Sequence, residues 1–522
     1  MKKFVLFLLL VSCLSVQAQT IQVSGDQTGV WDADTVLVTG SVIVKDSLWI
    51  MPGTVVLFEE YYDIYVSKGA SFMAQGTESD SIVFTVVDTT GFSDYETNIG
   101  GWNGISLEKA GSVILDYCVL QYGKAMKELD TQGGALKIVC CHDVDISHCT
   151  LQHNFARESG GALYAKDSQV RMQDCAINEN MVFDENNMYL YGGGACFLKC
   201  EVKLLKMEFR GNNSQCIGGA LSLDSCSVLL DRSVFADNVG VNGGGLYLMR
   251  SNDRKCKFSN LLFDNNKSYH FGGGLALSNA SPEISNILVT NNVSEGVSCC
   301  GMFFFEESSP VMNNCIIYGN YPDLEGFHDD TTQMWIWTFE GFAPEFHNCL
   351  VEGGTKYIHS PEMITVFEDV IDTDPMFVDA ANHDFRLSEG SPCRDAGNVQ
   401  TPSYVTGGLD LAGLPRVLNN RIDIGPYEYS GAAVTQHQIT PYARLVGNPL
   451  HAQSRVVFDD GVKGEMALMV YDMTGHCVAK RVMNIENAHS IVIGDLVENL
   501  APGVYLIELK GENGVCTVKA VR

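Results

Sequence analysis

The chain has 522 residues, with 63 acidic against 34 basic side chains and a formal net charge of −29. No basic stripe is available to follow a phosphate backbone, which argues against nucleic acid as a partner. A polyanionic glycan would be repelled unless Ca²⁺ stood between, and the simplest role for the charge is solubility. With 51 glycines and 46% hydrophobic residues, the length suits one extended domain plus a smaller one.

Residues 1–18 read as a secretory signal peptide. Lys2 and Lys3 precede the apolar run from Phe4 to Leu10, and Val16-Gln17-Ala18 offers a small-residue cleavage site before Gln19. Leu10-Val11-Ser12-Cys13 loosely resembles a lipoprotein box, a second choice because it stands so early. The apolar run is too short to span a bilayer, and no other segment qualifies, so the mature chain is expected to have no transmembrane segment. Strand-like runs follow at Leu48–Thr54, Ile82–Thr85 and Trp102–Leu107.

From Gly133 onward the chain repeats itself. Gly-Gly-Ala-Leu or a variant starts at Gly133, Gly160, Gly193, Gly218, Gly243, Gly272 and, degenerately, Cys300. Each copy is followed by a segment ending in Asn, at Asn154, Asn180, Asn212, Asn238, Asn266, Asn292 and Asn320, in steps of 26 to 32 residues. Apolar and polar residues alternate within each unit, the period of half-buried strands. A unit this short cannot close its own core and must stack on its neighbours. The prediction is a right-handed parallel β-helix solenoid over 19–370. Glycine suits its corners. The stacked asparagines are expected to form a structural amide ladder rather than to bind a ligand.

Cys118, Cys149, Cys175, Cys315 and Cys349 share one slot of the repeat, held elsewhere by Met207, Ser233, Leu261 and Ile287. They read as small hydrophobes stacked in the core with free thiols. No Cys/His cluster has zinc spacing. Among the loops between each Asn and the next Gly-Gly, 181–192 is long and carries Phe183, Tyr189 and Tyr191, and a later one carries Tyr269 and His270 before Phe271. These aromatics either contact a ligand or tuck onto the coil corners, and tucking is the favoured reading. Trp335 and Trp337 share one face of a strand, where a core stack is expected. An acid-rich insertion occupies 321–333. The motif pair, with Phe209 to Asn212, Phe235 to Asn238 and Phe263 to Asn266, resembles the repeats of chlamydial polymorphic outer membrane proteins and related β-helix surface proteins. That resemblance implies an exported protein and, for several such families, an adhesin. No outer-membrane barrel follows here, so self-translocation is not implied.

Residues 371–430 contain Asp372–Phe377, Gly390–Gly397, Asp410–Arg416 and Asp423–Glu428. They resemble the terminal region of many bacterial surface β-helix proteins and are expected to cap the last coil, whose strand edge would otherwise be open. Their aspartates read as turn residues, with Ca²⁺ left open as the one possible cation and no other cofactor evident. A polar linker spans 431–441. Beyond it, 442–522 alternates short strands and turns, predicting a small Ig-like β-sandwich. Asn448-Pro449-Leu450, Tyr471 to Gly475, Gly503-Val504-Tyr505 and Lys519 to Arg522 resemble the C-terminal sorting domain of the Bacteroidetes type IX secretion system. The resemblance implies that the type IX machinery is a partner, with Gly503, Tyr505, Lys519 and Arg522 in the sorting signal. It also implies export across both membranes to the cell surface or medium.

Two functions remain for the solenoid. It is either a non-enzymatic adhesin that binds an extracellular glycan or host surface ligand, which is favoured, or a pectate lyase-like polysaccharide lyase or glycoside hydrolase. A lyase needs carboxylates around Ca²⁺ and a basic proton acceptor; a hydrolase needs two spaced carboxylates. Asp167, Asp174, Asp224 and Asp231, near Arg171, Arg210 and Arg232, are the candidates, and the Gly-His-Gly run of β-helix pectinases is absent. Convergence of such groups in one groove would decide for the enzyme.

Overall fold

The computed structural model describes residues 19–126, 131–184, 190–215, 217–252, 255–295, 299–322, 333–398, 408–418, 421–431, 443–446, 454–458, 464–472, 477–485, 490–497, 500, 504–511 and 514–521. Coiling begins at once: Thr20–Trp31 pairs in parallel with Thr35–Ile50, ahead of the first glycine repeat. One 33-stranded parallel system then runs along three faces, with an 8-stranded ladder of short strands beside it. The first face stacks Ile105–Glu108, Leu136–Val139, Leu163–Lys166, Ala195–Leu198, Leu221–Asp224, Leu246–Ser251, Leu275–Ala280, Met302–Glu306 and Met334–Thr338. Inside this face Leu136, Leu163, Ala195, Leu221, Leu246, Leu275, Met302 and Met334 lie in register, each fully buried. Under the third face Phe209, Phe235 and Phe263 stack at 4.7 and 4.8 Å. No single coil encloses these side chains, so the core exists only through stacking.

Corners follow one rule. A residue in the left-handed region, such as His148 (φ 49), Asp174 (φ 52) or Lys206 (φ 52), turns the chain. The next residue carries a small acceptor that satisfies a backbone N–H of the preceding coil. Cys149 Sγ accepts from Cys118 N at 3.4 Å, Cys175 Sγ from Cys149 N at 3.4 Å, and Ser233 Oγ from Met207 N at 3.0 Å. The cysteines therefore fill the slot as hydrogen-bonding groups as well as small apolar bodies. All cysteines with a described side chain are unpaired, and burial raises the thiols of Cys149 and Cys175 well above their ordinary range, where they stay protonated and inert.

The asparagines occupy the third corner, where the residue before each of them, not the asparagine itself, is left-handed. Asn154 N and Nδ2 both donate to Asn180 Oδ1, at 2.9 and 3.0 Å, while Nδ2 also reaches Leu120 O. The same bonds pass from Asn180 through Asn212, Asn238, Asn266 and Asn292 to Asn320, which ends on Gln333 Oε1 at 2.7 Å. Every ladder asparagine is buried.

The strand register corrects two of the repeat starts. Leu163 pairs with Ala195 and Leu275 with Met302, so the corner residues equivalent to Gly160 are Gly192 (φ 65) and Cys299 (φ 77), not Gly193 and Cys300. The two glycines of a repeat do different work. At Gly160 the backbone is left-handed, and at Gly161 a Cβ would stand 2.1 Å from Gly193 O of the next coil.

The described residues of 371–430 lie along the flank of the solenoid. Phe385, Leu387, Cys393 and Ile424 cover Leu262, Leu288, Ile316 and Leu350, which point outward from the third face. Asn286 Nδ2 donates to Asp423 O and Gly425 O across 137 and 139 residues of sequence. Arg416 and Glu428 pair at 2.9 Å with side chains 0% and 1% exposed. Burial holds the Glu428 carboxyl above its ordinary range, against the pull of Arg416. The expectation of an end cap is thus revised: the described contacts seal a side wall.

At the C-terminal end are two antiparallel sheets. One holds Ala443–Val446, Arg455–Phe458 and Ser490–Val492; the other holds Gly464–Asp472, Cys477–Ile485, Val504–Gly511 and Gly514–Val521. Val456, Leu468, Val470, Ile493, Tyr505 and Ile507 share a buried cluster.

Candidate functional site

The outer side of the first face changes character along its length. Strand alternation exports every second side chain, and pairing places Tyr164, Cys196, Ser222, Tyr247, Ala276, Phe303, Trp335 and His359 in one outward column. The neighbouring column ends in Phe305 and Trp337. On Met334–Thr338 it is Met334 and Ile336 that enter the core, while Trp337 is 53% exposed. The expected core stack of Trp335 and Trp337 is therefore overturned. Apolar residues occupied both faces of the strand, and the register with Met302 and Phe304, both buried, decides which face is inside.

These rings form a platform. The indoles of Trp335 and Trp337 lie 5.7 Å apart and within 10° of parallel. Phe305 meets Trp337 edge-on at 5.6 Å, His359 meets Trp335 at 4.6 Å, and Phe271 stacks on Phe303 at 4.7 Å. Tyr247, Met249 and Phe303 floor it, with Tyr191, Ile217 and Phe271 packed alongside. From the coil of Tyr191 to that of Trp335 the strip spans five rungs, roughly 24 Å.

The loop aromatics divide accordingly. Tyr191 is half-buried at the far end of this strip, and Tyr269 (40% exposed) and His270 sit beside Phe271 at its margin. Phe183 belongs elsewhere, 6.3 Å from Tyr95. Tyr189 lies outside the described residues. The carboxylates considered for catalysis stay apart. Asp167 and Asp174 are left-handed residues of different corners. Asp174 pairs with Lys206 at 3.2 Å, Asp224 with Arg250, Asp231 with Arg232 at 2.8 Å, Arg171 with Asp145 at 2.6 Å, and Arg210 with Glu208. Among the described residues no three His, Cys, Asp or Glu side chains gather as a metal-binding set. The signal that could have found the platform was the succession of Phe303, Phe305, Trp335 and Trp337 at matching places in adjacent repeats.

Two overlapping stretches, 80–284 and 199–358, match the right handed beta helix region family, and together they cover more than half of the chain. The chain belongs to the right-handed β-helix family. Residues 448–521 match the secretion system C-terminal sorting domain. No curated protein matches the chain. The sorting domain assigns this β-helix protein to type IX secretion and places it at the cell surface or in the extracellular space. Among the described residues no helix is long and apolar enough to cross a membrane. Of the residues linked to sorting, Tyr505 is buried in the small C-terminal core and Lys519 lies in the final strand, while Gly503 and Arg522 fall outside the described residues.

Proposed function

We propose that this exported β-helix protein is a non-enzymatic binder, an adhesin in the broad sense, that holds a neutral glycan on the platform around Trp335 and Trp337. The carrying observation is the pair of near-parallel indoles facing outward from a regular strand, one of them half in solvent. A cluster in which Trp337 is exposed and Phe305 and Trp335 are partly so leaves aromatic surface in water that a ligand can cover. Flat rings with a polar margin suit the apolar faces and hydroxyl edges of sugars. His270 and His359 supply that margin. The net charge of −29 disfavours polyanionic chains, and the dispersal of the acidic candidates favours retention over cleavage. Screening the exported protein on a glycan array, beside the double variant Trp335→Ala/Trp337→Ala, tests the reading. The expected result is retention of one or more neutral glycans by the wild type and at least a tenfold loss in the variant, about 1.4 kcal/mol. Equal retention by both proteins sinks it.

A further inference from the structure

A second recess lies on a different edge of the solenoid. At the third corner Tyr122, His153 and Glu179 follow one another in successive coils, all left-handed. Beside them the short ladder stacks Lys124, Phe155 and Met181. The groove between these two rows is roofed by the loop 88–101: Phe92 meets Tyr122 edge-on at 5.3 Å, and Tyr95 stacks on Phe155 at 4.5 Å. The recess is a half-open cavity of about 200 Å³. Next in the corner row comes Gly211, which carries no side chain to close that end.

The roof is preformed. Lys124 is fully buried, and its ammonium donates to Asp94 O at 2.7 Å and Ile99 O at 3.2 Å, pinning the loop at two points. Asp88 and Asp94 carboxylates accept from the backbone N–H groups of Thr90 and Glu96. At Gly100 a Cβ would stand 2.5 Å from Phe92 N, so the loop closes on itself. A recess held this way does not have to be organised by its ligand.

Its chemistry narrows the occupant. The volume is below that of drug-sized sites and suits a single ring. The carboxylate of Glu179, 3.3 Å from His153 with side chains 24% and 16% exposed, opposes an acidic group. The ammonium of Lys124 does not line the recess, but it is buried 5.3 Å from the ring centre of the lining residue Phe92, and its charge offsets the pull of Glu179 on a cation. A purely apolar guest would strip water from Glu179 and His153 without replacing its hydrogen bonds. A neutral ring with hydroxyl groups meets all three conditions, because a carboxylate can accept from more than one donor at a time.

We propose that this recess is a second, separate glycan site that takes one terminal neutral sugar unit, with its ring against Tyr95 and a hydroxyl donating to Glu179. It rests on the glycan-binding reading for the class of ligand only. The coil of Glu179 is five rungs, roughly 24 Å, from that of Phe303. The roofed end makes it a place for a chain end, whereas the open platform accepts a chain interior.

Saturation-transfer NMR on the full chain tests it, with the methyl glycosides of glucose, galactose and mannose as probes. Wild type, Tyr95→Ala, Glu179→Gln and the Trp335→Ala/Trp337→Ala variant are compared, with thermal unfolding recorded for each. The expected result is transfer to at least one glycoside in the wild type and in the tryptophan variant. Tyr95→Ala should abolish it, and Glu179→Gln should weaken binding about tenfold, the loss of one charged hydrogen bond. No transfer to any probe in the wild type overturns the site. So does transfer that survives both Tyr95→Ala and Glu179→Gln. Transfer lost only in the tryptophan variant removes this recess and leaves the platform standing. Array binding that ignores the tryptophans while Tyr95→Ala loses its glycoside does the reverse.

Discussion

Two walls of the same solenoid export apolar side chains, and they meet opposite fates. On the third face Leu262, Leu288, Ile316 and Leu350 point outward and are covered by the flanking segment. On the first face Phe305, Trp335 and Trp337 point outward and Trp337 remains 53% exposed, while Phe303 in the same column is buried under Phe271. The strand chemistry is the same in both places. An outward apolar column is structural where the chain itself supplies the cover, and it is a recognition surface where the cover must come from another molecule. The choice of residue fits that division: branched aliphatics for a permanent seal, flat aromatics for an exchangeable one.

The strongest way to break the contrast is to unseal the third face. Arg416 is fully buried, pairs with Glu428, and donates from Nη2 to Asp423 O and Gly425 O, each at 3.1 Å. Arg416→Met would leave Glu428, Asp410 and Asp423 without their counter-charge. It should cost about 3–5 kcal/mol, the range for removing one partner of a buried pair. Denaturant unfolding should show an early step, and limited proteolysis should then cut within 371–430 first. A single, unshifted transition would mean that the seal does not depend on this charge.

A paired comparison sharpens the contrast. Leu288→Ala truncates a fully buried outward residue on the sealed wall and should destabilise by about 2–4 kcal/mol through lost burial and a cavity. Trp337→Ala removes a larger side chain from the open wall, with its ring contacts to Trp335 and Phe305, yet should cost less than about 1.5 kcal/mol. Its effect should fall on ligand retention instead. Comparable stability losses in the two variants would erase the distinction between the walls.

Much of the solenoid could be read in advance because it is local and repeated. The recurrence of Gly-Gly and Asn fixed where coils turn, since a corner needs a left-handed residue and a buried acceptor in every coil. The register slipped by one at Gly192 and Cys299, where three glycines in a row and a pair of cysteines offer two equal alignments. Which face of Met334–Thr338 lies inside could not be read, because alternation separates two faces without saying which is the core. The flank was hidden for another reason. Asn286 and Asp423 are 137 residues apart, and a non-repeating partner leaves no period to detect. The roofed recess was likewise invisible: Tyr95 meets Phe155 only through a non-repeating loop held by Lys124, Asp88, Asp94 and the tight turn at Gly100.

The smallest expected effect concerns the edge of the seal and is confined to acid. His383 Nδ1 lies 2.6 Å from Asp264 Oδ2, joining the flanking hairpin to the third face. That hydrogen bond to Asp264 raises the imidazole above its ordinary value of about 6.5, with Asp237 adding to the pull and Arg210 and burial opposing it. A group whose pKa rises on folding stabilises the fold fully below its unfolded value, and the contribution fades as pH climbs through the folded value. The imidazole is more than half exposed, so solvent screening keeps the effect modest. His383→Gln should therefore unfold at a lower denaturant midpoint than the wild type at pH 5.5, and the two curves should converge at pH 9. A difference that persists unchanged to pH 9 would assign the contact to hydrogen bonding alone, and the seal would then owe nothing to charge at that edge. If the difference instead closes with rising pH, His383 and Arg416 both belong to an electrostatic clasp on the sealed wall.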